Sequence, residues 1–340
     1  GVLHCAGVDV DWAKLLGDAR GAVELPTYAF EHSRYWSEPV VEAGGAGLGH
    51  PLLGSAIALA DGQGYVLTGR LSPAAQPWLA EHAVSGVVLL PGTAMVELAA
   101  RAAHEAGCGT VRELTLHAPL VIPDTDTGAV QLQLVAGPAG PDGTRDLGIH
   151  ARAGDDGDWN RHATGLVAPA PGHGPAADED DLAVWPPSGA RAVAFGDLYD
   201  RLAARGVAYG PAFLGLHRVW HRGGDVFAEV ALPDGVQGAG YGLHPVLLDA
   251  ALQAWQTRDD ERGAEVRMPF EWSGVSLHRS GAARLRVRIH ATADGGIGIL
   301  AADETGAPVL TVGSMVQRPV TGDQLRVADR SLFRVAWSPW

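Results

Sequence analysis

The sequence predicts an α+β protein of two comparable units, each setting strands around one apolar helix. Three observations carry this expectation. Two apolar helices are signalled at Pro91 and Pro245, at comparable places 154 positions apart. Each is surrounded by segments that alternate polar and apolar residues, the period of a half-buried strand. Between them, over residues 168–190, no apolar period survives, and Pro, Gly and acidic residues collect.

The composition suits one large core or two smaller ones. Of 340 residues, 46% are hydrophobic, and 46 Gly with 22 Pro point to many turns. The formal charge is −14, from 25 Lys and Arg against 39 Asp and Glu. That balance argues against a nucleic-acid backbone or an anionic membrane surface as the main partner. No run approaches the ~18–20 apolar residues that cross a bilayer. Two cysteines, Cys5 and Cys108, are too few for a disulfide framework or a cysteine zinc site, and read as reduced thiols in the cytoplasm. The start, Gly1-Val2-Leu3-His4, has neither an initiator Met nor a signal-peptide pattern. With the end at Ser338-Pro339-Trp340, it reads as an excised piece of a longer chain.

In chain order, residues 1–44 do not read as core. They hold a short amphipathic patch (Val8 to Leu16) and aromatic, Pro-containing segments suited to strapping onto a neighbouring surface. Residues 48–168 read as strands around one helix, with Gln131-Leu132-Gln133-Leu134 as a half-buried strand. The helix is expected to begin at Pro91, a favoured first-turn residue, and to bury Met95, Leu98, Ala99 and Ala102. Glu97 and Arg101 are expected as an exposed i, i+4 pair, and Gly107 as the stop. The stretch 168–190, with its acidic run Asp178-Glu179-Asp180-Asp181, reads as a solvated linker. From 195 to 320 come a helix from Phe195 to Arg205, strands, and a second helix from Pro245 with Leu248, Ala251, Leu252 and Trp255 on its stripe. Leu285, Val287 and Ile289 then alternate with arginines, and Asp303-Glu304-Thr305-Gly306 signals a hairpin.

Three clusters could carry chemistry. In the first, His82 precedes an apolar run, with Gly86 four residues later and a helix start at Pro91. It reads either as a half-buried histidine at a turn, or as a general base beside a glycine that lets substrate approach the backbone. In the second, His244-Pro245 opens a helix in which Asp249 and Gln253 are the polar residues and share one side. A carboxyl buried there needs a partner or a raised pKa, and a raised pKa suits a general acid near neutral pH. Satisfaction of Asp249 by Gln253 and backbone donors is the structural alternative. In the third, Tyr209-Gly210-Pro211-Ala212-Phe213 is either a structural turn or a turn that hands a tyrosine hydroxyl to a pocket.

Together these clusters resemble the dehydratase domains of modular polyketide synthases. His82 with Gly86 and Pro91 is similar to that family's histidine motif, Tyr209 to Phe213 to its tyrosine motif, and Asp249 with Gln253 to its aspartate motif. His50-Pro51-Leu52-Leu53-Gly54 resembles the segment that opens the domain, and Met268-Pro269-Phe270-Glu271-Trp272 a late strand motif. Val207 departs from the pattern, where many relatives carry Tyr.

The resemblance implies a double-hotdog fold. Its expected divisions are a post-acyltransferase linker at 1–44, hotdogs at 45–170 and 193–322 joined by a linker at 171–192, and a linker toward a ketoreductase region at 323–340. It implies His82 and Asp249 as the catalytic pair, with Tyr209, Gln253, Gly86, Pro91, Gly210, Pro211 and His244 supporting and orienting. It implies substrate on the phosphopantetheine arm of an acyl carrier protein, neighbouring acyltransferase and ketoreductase domains, a homodimer, and neither metal nor bound cofactor.

The same fold could act as a double-bond isomerase, as a dehydratase that also closes rings by oxa-Michael addition, or as a silent scaffold. Retention of Asp249 favours dehydration, because a departing hydroxyl needs an acid. Gly45-Ala46-Gly47-Leu48-Gly49 lacks the spacing of a dinucleotide loop and reads as a flexible entry segment. His217 and His221 lack a third metal ligand, and no nucleophile elbow is present.

Overall fold

The computed structural model describes residues 5–7, 9–11, 14, 46–123, 129–154, 157–170, 180–258 and 266–320. The expected linkers at 1–44 and 323–340 therefore lie outside the described residues, apart from seven positions near the start. Two compact units are present, Gly1–Glu42 and Ala43–Trp340, and the second carries the fold.

The first half of the Ala43–Trp340 unit runs β1 (Ala46–His50), β2 (Leu53–Ala58), β3 (Tyr65–Leu71), β4 (His82–Val84), β5 (Val87–Val88), α1 (Gly92–Glu105), β6 (Thr110–Leu116), β7 (Val130–Ala136), β8 (Arg145–Ala153) and β9 (Asn160–Ala168). Its second half runs α2 (Asp180–Ala183), β10 (Arg191–Val193), α3 (Leu198–Ala204), β11 (Val207–Tyr209), β12 (Leu216–Arg222), β13 (Asp225–Ala231), α4 (Pro245–Trp255), β14 (Arg267–Leu277), β15 (Arg284–Ala291), β16 (Ile297–Ala302) and β17 (Pro308–Pro319). Helix α1 packs on β6, β7 and β9, and α4 on β12, β13 and β15. Each half is thus an antiparallel sheet around one helix, the double-hotdog arrangement, and the two helices touch.

The sheets are continuous. Among the described residues, fourteen strands follow the order β1-β2-β3-β7-β8-β9-β6-β14-β17-β16-β15-β13-β12-β10. The seam is the antiparallel pair β6–β14, with Trp272 opposite Leu114. Alternation decides which side chains enter the core: in β7 every second residue from Val130 to Ala136 is buried, and in β15 Leu285, Val287 and Ile289 are. Pro269 sits in β14 where the register with β17 slips, leaving Phe270 as an extra residue. A proline lacks the N–H that a regular ladder requires, so a bulge is where a strand tolerates one.

The helix starts differ slightly from expectation. Pro91 is the N-cap of α1, with extended φ and ψ, and the helix begins at Gly92. Pro245 is the first residue of α4, capped by His244, whose Nδ1 accepts from the Val246 N–H at 3.2 Å. All eleven residues of α4 are buried. The helix α3 is shorter than the expected 195–205, spanning Leu198–Ala204.

Three expectations are corrected. Glu97 and Arg101 do not form an exposed pair. Glu97 is buried and accepts from His50 Nε2 at 3.2 Å, Gly242 N–H at 2.6 Å and Leu243 N–H at 2.9 Å, while Arg101 pairs with Glu105 at 2.8 Å. The spacing is helical, but the side of α1 that bears Glu97 faces the second half rather than water. The glycine-rich segment before His50 is an edge strand, β1, rather than a flexible entry. Within 168–190, residues 171–179 lie outside the described residues, but Leu182 and Trp185 pack on Trp220 and Phe227. Isolated aromatic anchors leave no periodic signal, which is why that stretch reads as solvated.

Candidate active site

Two of the three sequence clusters meet in a small second sheet, β11-β4-β5, that joins the two halves. Strand β11 pairs antiparallel with β4, setting Val207 opposite Val84, Ala208 opposite Ala83 and Tyr209 opposite His82. The β4–β5 hairpin turns through Ser85 and Gly86, both with positive φ, at 50° and 78°. Two consecutive positive φ values define the tight turn that fits the twist of a hairpin, and glycine adopts it freely. That is the work of Gly86, which does not line the cleft and offers no backbone to substrate.

His82 is 6% exposed. Its Nδ1 lies 3.0 Å from the Leu89 carbonyl oxygen, and the Leu89 N–H donates back to the His82 carbonyl at 3.0 Å. A carbonyl can only accept, so the ring carries its proton on Nδ1 and presents the lone pair of Nε2. The ring packs against Tyr209 and Phe213, with centroids 5.6 and 5.5 Å away.

Asp249 enters from α4, also 6% exposed. Gln253, one turn on, donates its Nε2 to Asp249 Oδ2 at 3.1 Å and to the Phe213 carbonyl at 3.1 Å. Burial pushes the Asp249 carboxyl above its ordinary value, opposed in part by the nearby His82 ring and by hydrogen bonds from Gln253 and Tyr209. Burial and the facing Asp249 carboxyl hold the Tyr209 phenol well above its ordinary value, so it remains a donor. Burial alone pushes His244 down to about 4, which keeps it neutral as a cap.

His82, Tyr209, Asp249 and Gln253 line one cavity of about 100 Å³, together with Gly92 at the start of α1. The first backbone N–H groups of a helix have no partner within it and carry a partial positive charge, so an oxygen placed there is stabilised. Pro91, Gly86, Gly210, Pro211 and His244 stand outside the cavity and act on its walls. Pro211 opens a 3-10 turn to Phe213, whose side chain is fully buried. A Cβ at Gly210 would come within 2.7 Å of the Glu81 side chain, so only glycine lets that carboxylate close on the turn.

Sequence reasoning missed Glu81, Leu89 and Tyr199. Glu81 accepts from the Gly210 N–H through its carbonyl, at 2.7 Å, and from the Ala212 N–H through Oε2, at 2.6 Å. Tyr199 donates its hydroxyl to Gln253 Oε1 at 3.0 Å. Glu81 adjoins His82 in sequence, which was the available clue. The other two signal nothing by spacing. Val207 lines the cavity, as does Arg267. His221 meets Thr257 at 2.9 Å, and among the described residues no cluster of three or more His, Cys, Asp or Glu could hold a metal ion. No described helix is long and apolar enough to cross a membrane.

Two family profiles match the chain, "Polyketide synthase dehydratase domain" over residues 50–152 and "Polyketide synthase dehydratase N-terminal domain" over 177–326. Polyketide synthase GfsA of Streptomyces halstedii is 51% identical over 358 residues, covering 99% of this chain and 5% of that protein. The chain therefore spans about a twentieth of that relative's length. A solved structure concerning dehydratase substrate selection for the borrelidin and fluvirucin polyketide synthases is 47% identical, with a TM-score of 0.76 and coverage of 82% of this chain and 98% of that one. The bifunctional dehydratase-cyclase domain of ambruticin biosynthesis is 40% identical, with a TM-score of 0.75 and coverage of 81% and 98%. Agreement over almost the whole of such domains, on the same fold, means that this chain belongs to the dehydratase domains of polyketide synthases, which are hydro-lyases.

Proposed function

We propose that this domain removes water from a β-hydroxyacyl thioester, carried on the phosphopantetheine arm of an acyl carrier protein, to give the α,β-unsaturated thioester. One observation supports the assignment above others: a histidine with a free Nε2 lone pair and a carboxyl raised by burial line the same cavity from opposite halves. Nε2 of His82 takes the α-proton, which the thioester carbonyl acidifies. The thioester oxygen gains charge as that C–H bond breaks, and the Gly92 N–H at the start of α1 stabilises it. As the C–C double bond forms, the β C–O bond breaks, and Asp249 gives its proton to the departing hydroxyl, which leaves as water. Tyr209 and Gln253 orient the hydroxyl and the acid. The proton left on His82 and the charge left on Asp249 are reset through solvent.

The chemistry assigned to these residues calls on no cofactor. The proposal includes hotdog halves at 45–170 and 193–322, flanking acyltransferase and ketoreductase domains, a homodimer and a cytoplasmic location. His82→Phe and Asp249→Asn are each expected to cut turnover of a 3-hydroxyacyl thioester by roughly 10²- to 10⁴-fold. Formation of the enoyl product at the parental rate by either variant would falsify the assignment. The likeness to the ambruticin dehydratase-cyclase favours a second reading, in which the same pair also closes a ring. A substrate with a distal hydroxyl tests it: cyclisation gives an isomer of the enoyl thioester that lacks the conjugated absorbance.

A further inference from the structure

We infer that Tyr199 is a positioning residue of this reaction, one that fixes the Gln253 amide so that Asp249 keeps its proton for the substrate. The inference rests on Asp249 being the acid, as proposed above. Four groups meet the Gln253 amide, Phe213, Tyr199, Asp249 and Tyr209, and the first two read its ends from outside the cavity. The Phe213 carbonyl, 3.1 Å away, can only accept, so that end of the amide is the NH₂ group. The oxygen then faces Tyr199, whose hydroxyl must donate across the 3.0 Å contact. The Leu216 backbone N–H also acts on the phenol oxygen, which suits the same polarity. With both ends committed, the remaining amide hydrogen is directed at Asp249 Oδ2, at 3.1 Å.

This polarity matters to the acid. An amide showing N–H to Oδ2 makes that oxygen an acceptor and leaves the acidic proton to Oδ1. An amide turned over would show Oε1 to the carboxyl, and a protonated Asp249 would donate to it instead of to the departing hydroxyl. Tyr199 occupies Oε1 and so closes that route. The ring of Tyr199 is also packed edge-on against Tyr209, with centroids 6.3 Å apart and planes at 81°, so the hydroxyl is held by packing. Tyr199 stands behind the cavity lining rather than in it and touches no reacting atom. Its effect passes through Gln253.

Tyr199→Phe removes the hydroxyl and keeps the ring. The groups facing Asp249 are His82 from β4, Tyr209 from β11 and Tyr199 itself from α3, with Arg205 and Arg267 lining the same cavity. Only the hydroxyl changes in the variant. The expected result with a 3-hydroxyacyl thioester is a fall in kcat of roughly three- to tenfold, the range of one hydrogen bond, with KM within twofold. The high-pH limb of the kcat profile, where the acid must stay protonated, should move upward by about half a pH unit, because the Gln253 N–H is no longer held on the carboxylate. Gln253→Leu should show the same shift, and Tyr199→Phe should add nothing in that background. An unmoved limb, or losses that multiply in the double variant, overturns the inference. An Asp249→Asn variant run alongside separates the two layers: if it turns over normally, the acid assignment is what fails.

Discussion

In the proposed reaction the pair His82 and Asp249 takes opposite tasks from its surroundings. The Leu89 carbonyl, which takes the Nδ1 proton, suits His82 to the role of base. Burial, which disfavours its charge, suits Asp249 to the role of acid. The burial of Asp249 has a thermodynamic signature. A carboxyl whose pKa is raised in the fold keeps its proton while the unfolded chain releases one, so stability is lost as pH rises above the ordinary value of 3.8. Asp249→Asn, which carries no charge in either state, is therefore expected to be more stable than the parent at pH 7, by about 2 °C in Tm or more, with the gap closing toward pH 4. Thermal melts across that range check it, and a gap that widens on acidification would refute the burial argument. Asp249 was legible in the sequence because it interrupts an apolar helix. The Leu89 carbonyl was not, because a backbone acceptor has no letter of its own.

At the scale of elements, α4 carries the proposed acid, and its start is unusual. A histidine caps it, 2% exposed, with Nε2 buried and lacking a hydrogen-bond partner among the described residues. Trp78 and Tyr241 rings close on it at 5.3 and 4.4 Å. Since burial holds its pKa at about 4, the native chain refuses a proton that the unfolded chain accepts near the ordinary 6.5. Stability contributed by the neutral cap is thus present above about pH 6.5 and lost as pH falls toward 4. His244→Asn, a good cap without a titration, should flatten the fall in denaturation midpoint over that window. A slope equal to the parent's would count against it. Both apolar helices were readable from their stripes and prolines, and their termini came within a residue or so. The short strands β4 and β11 were not readable as strands. Three residues cannot display a period, and their pairing is decided by a partner more than a hundred positions away.

On the scale of the whole molecule, the joins between the halves include the β6–β14 seam, the β4–β11 pair and the Glu97 carboxylate. Glu97 belongs to α1, yet it receives the Gly242 and Leu243 N–H groups just ahead of α4, and the His50 ring at the end of β1. Because His50 Nδ1 accepts from the Leu52 N–H, its Nε2 is the donor, and the carboxylate gathers three donors in the interior. Glu97→Ala leaves all three buried and unpaired, and a loss of about 3–5 kcal/mol in urea unfolding is expected. A loss below about 1 kcal/mol would show that water replaces the carboxylate. The two-unit organisation was legible from the repeated helix-and-strand pattern, whereas this latch was read as a solvent-facing pair, because helical spacing tells which residues share a side but not what lies opposite.

The β4–β11 ladder also orders the molecule in time. Its hydrogen bonds run between residue 82 and residue 209, so the strand bearing the proposed base has no neighbour on that side until the later strand has been made. A ribosome that has finished only the first hotdog holds a histidine without its tyrosine, its acid or its cavity wall. Activity and completion of the fold arrive together, and a nascent chain cannot act on a passing thioester before its second half closes. Two halves expressed separately would regain turnover only to the extent that they rebuild the ladder and the seam.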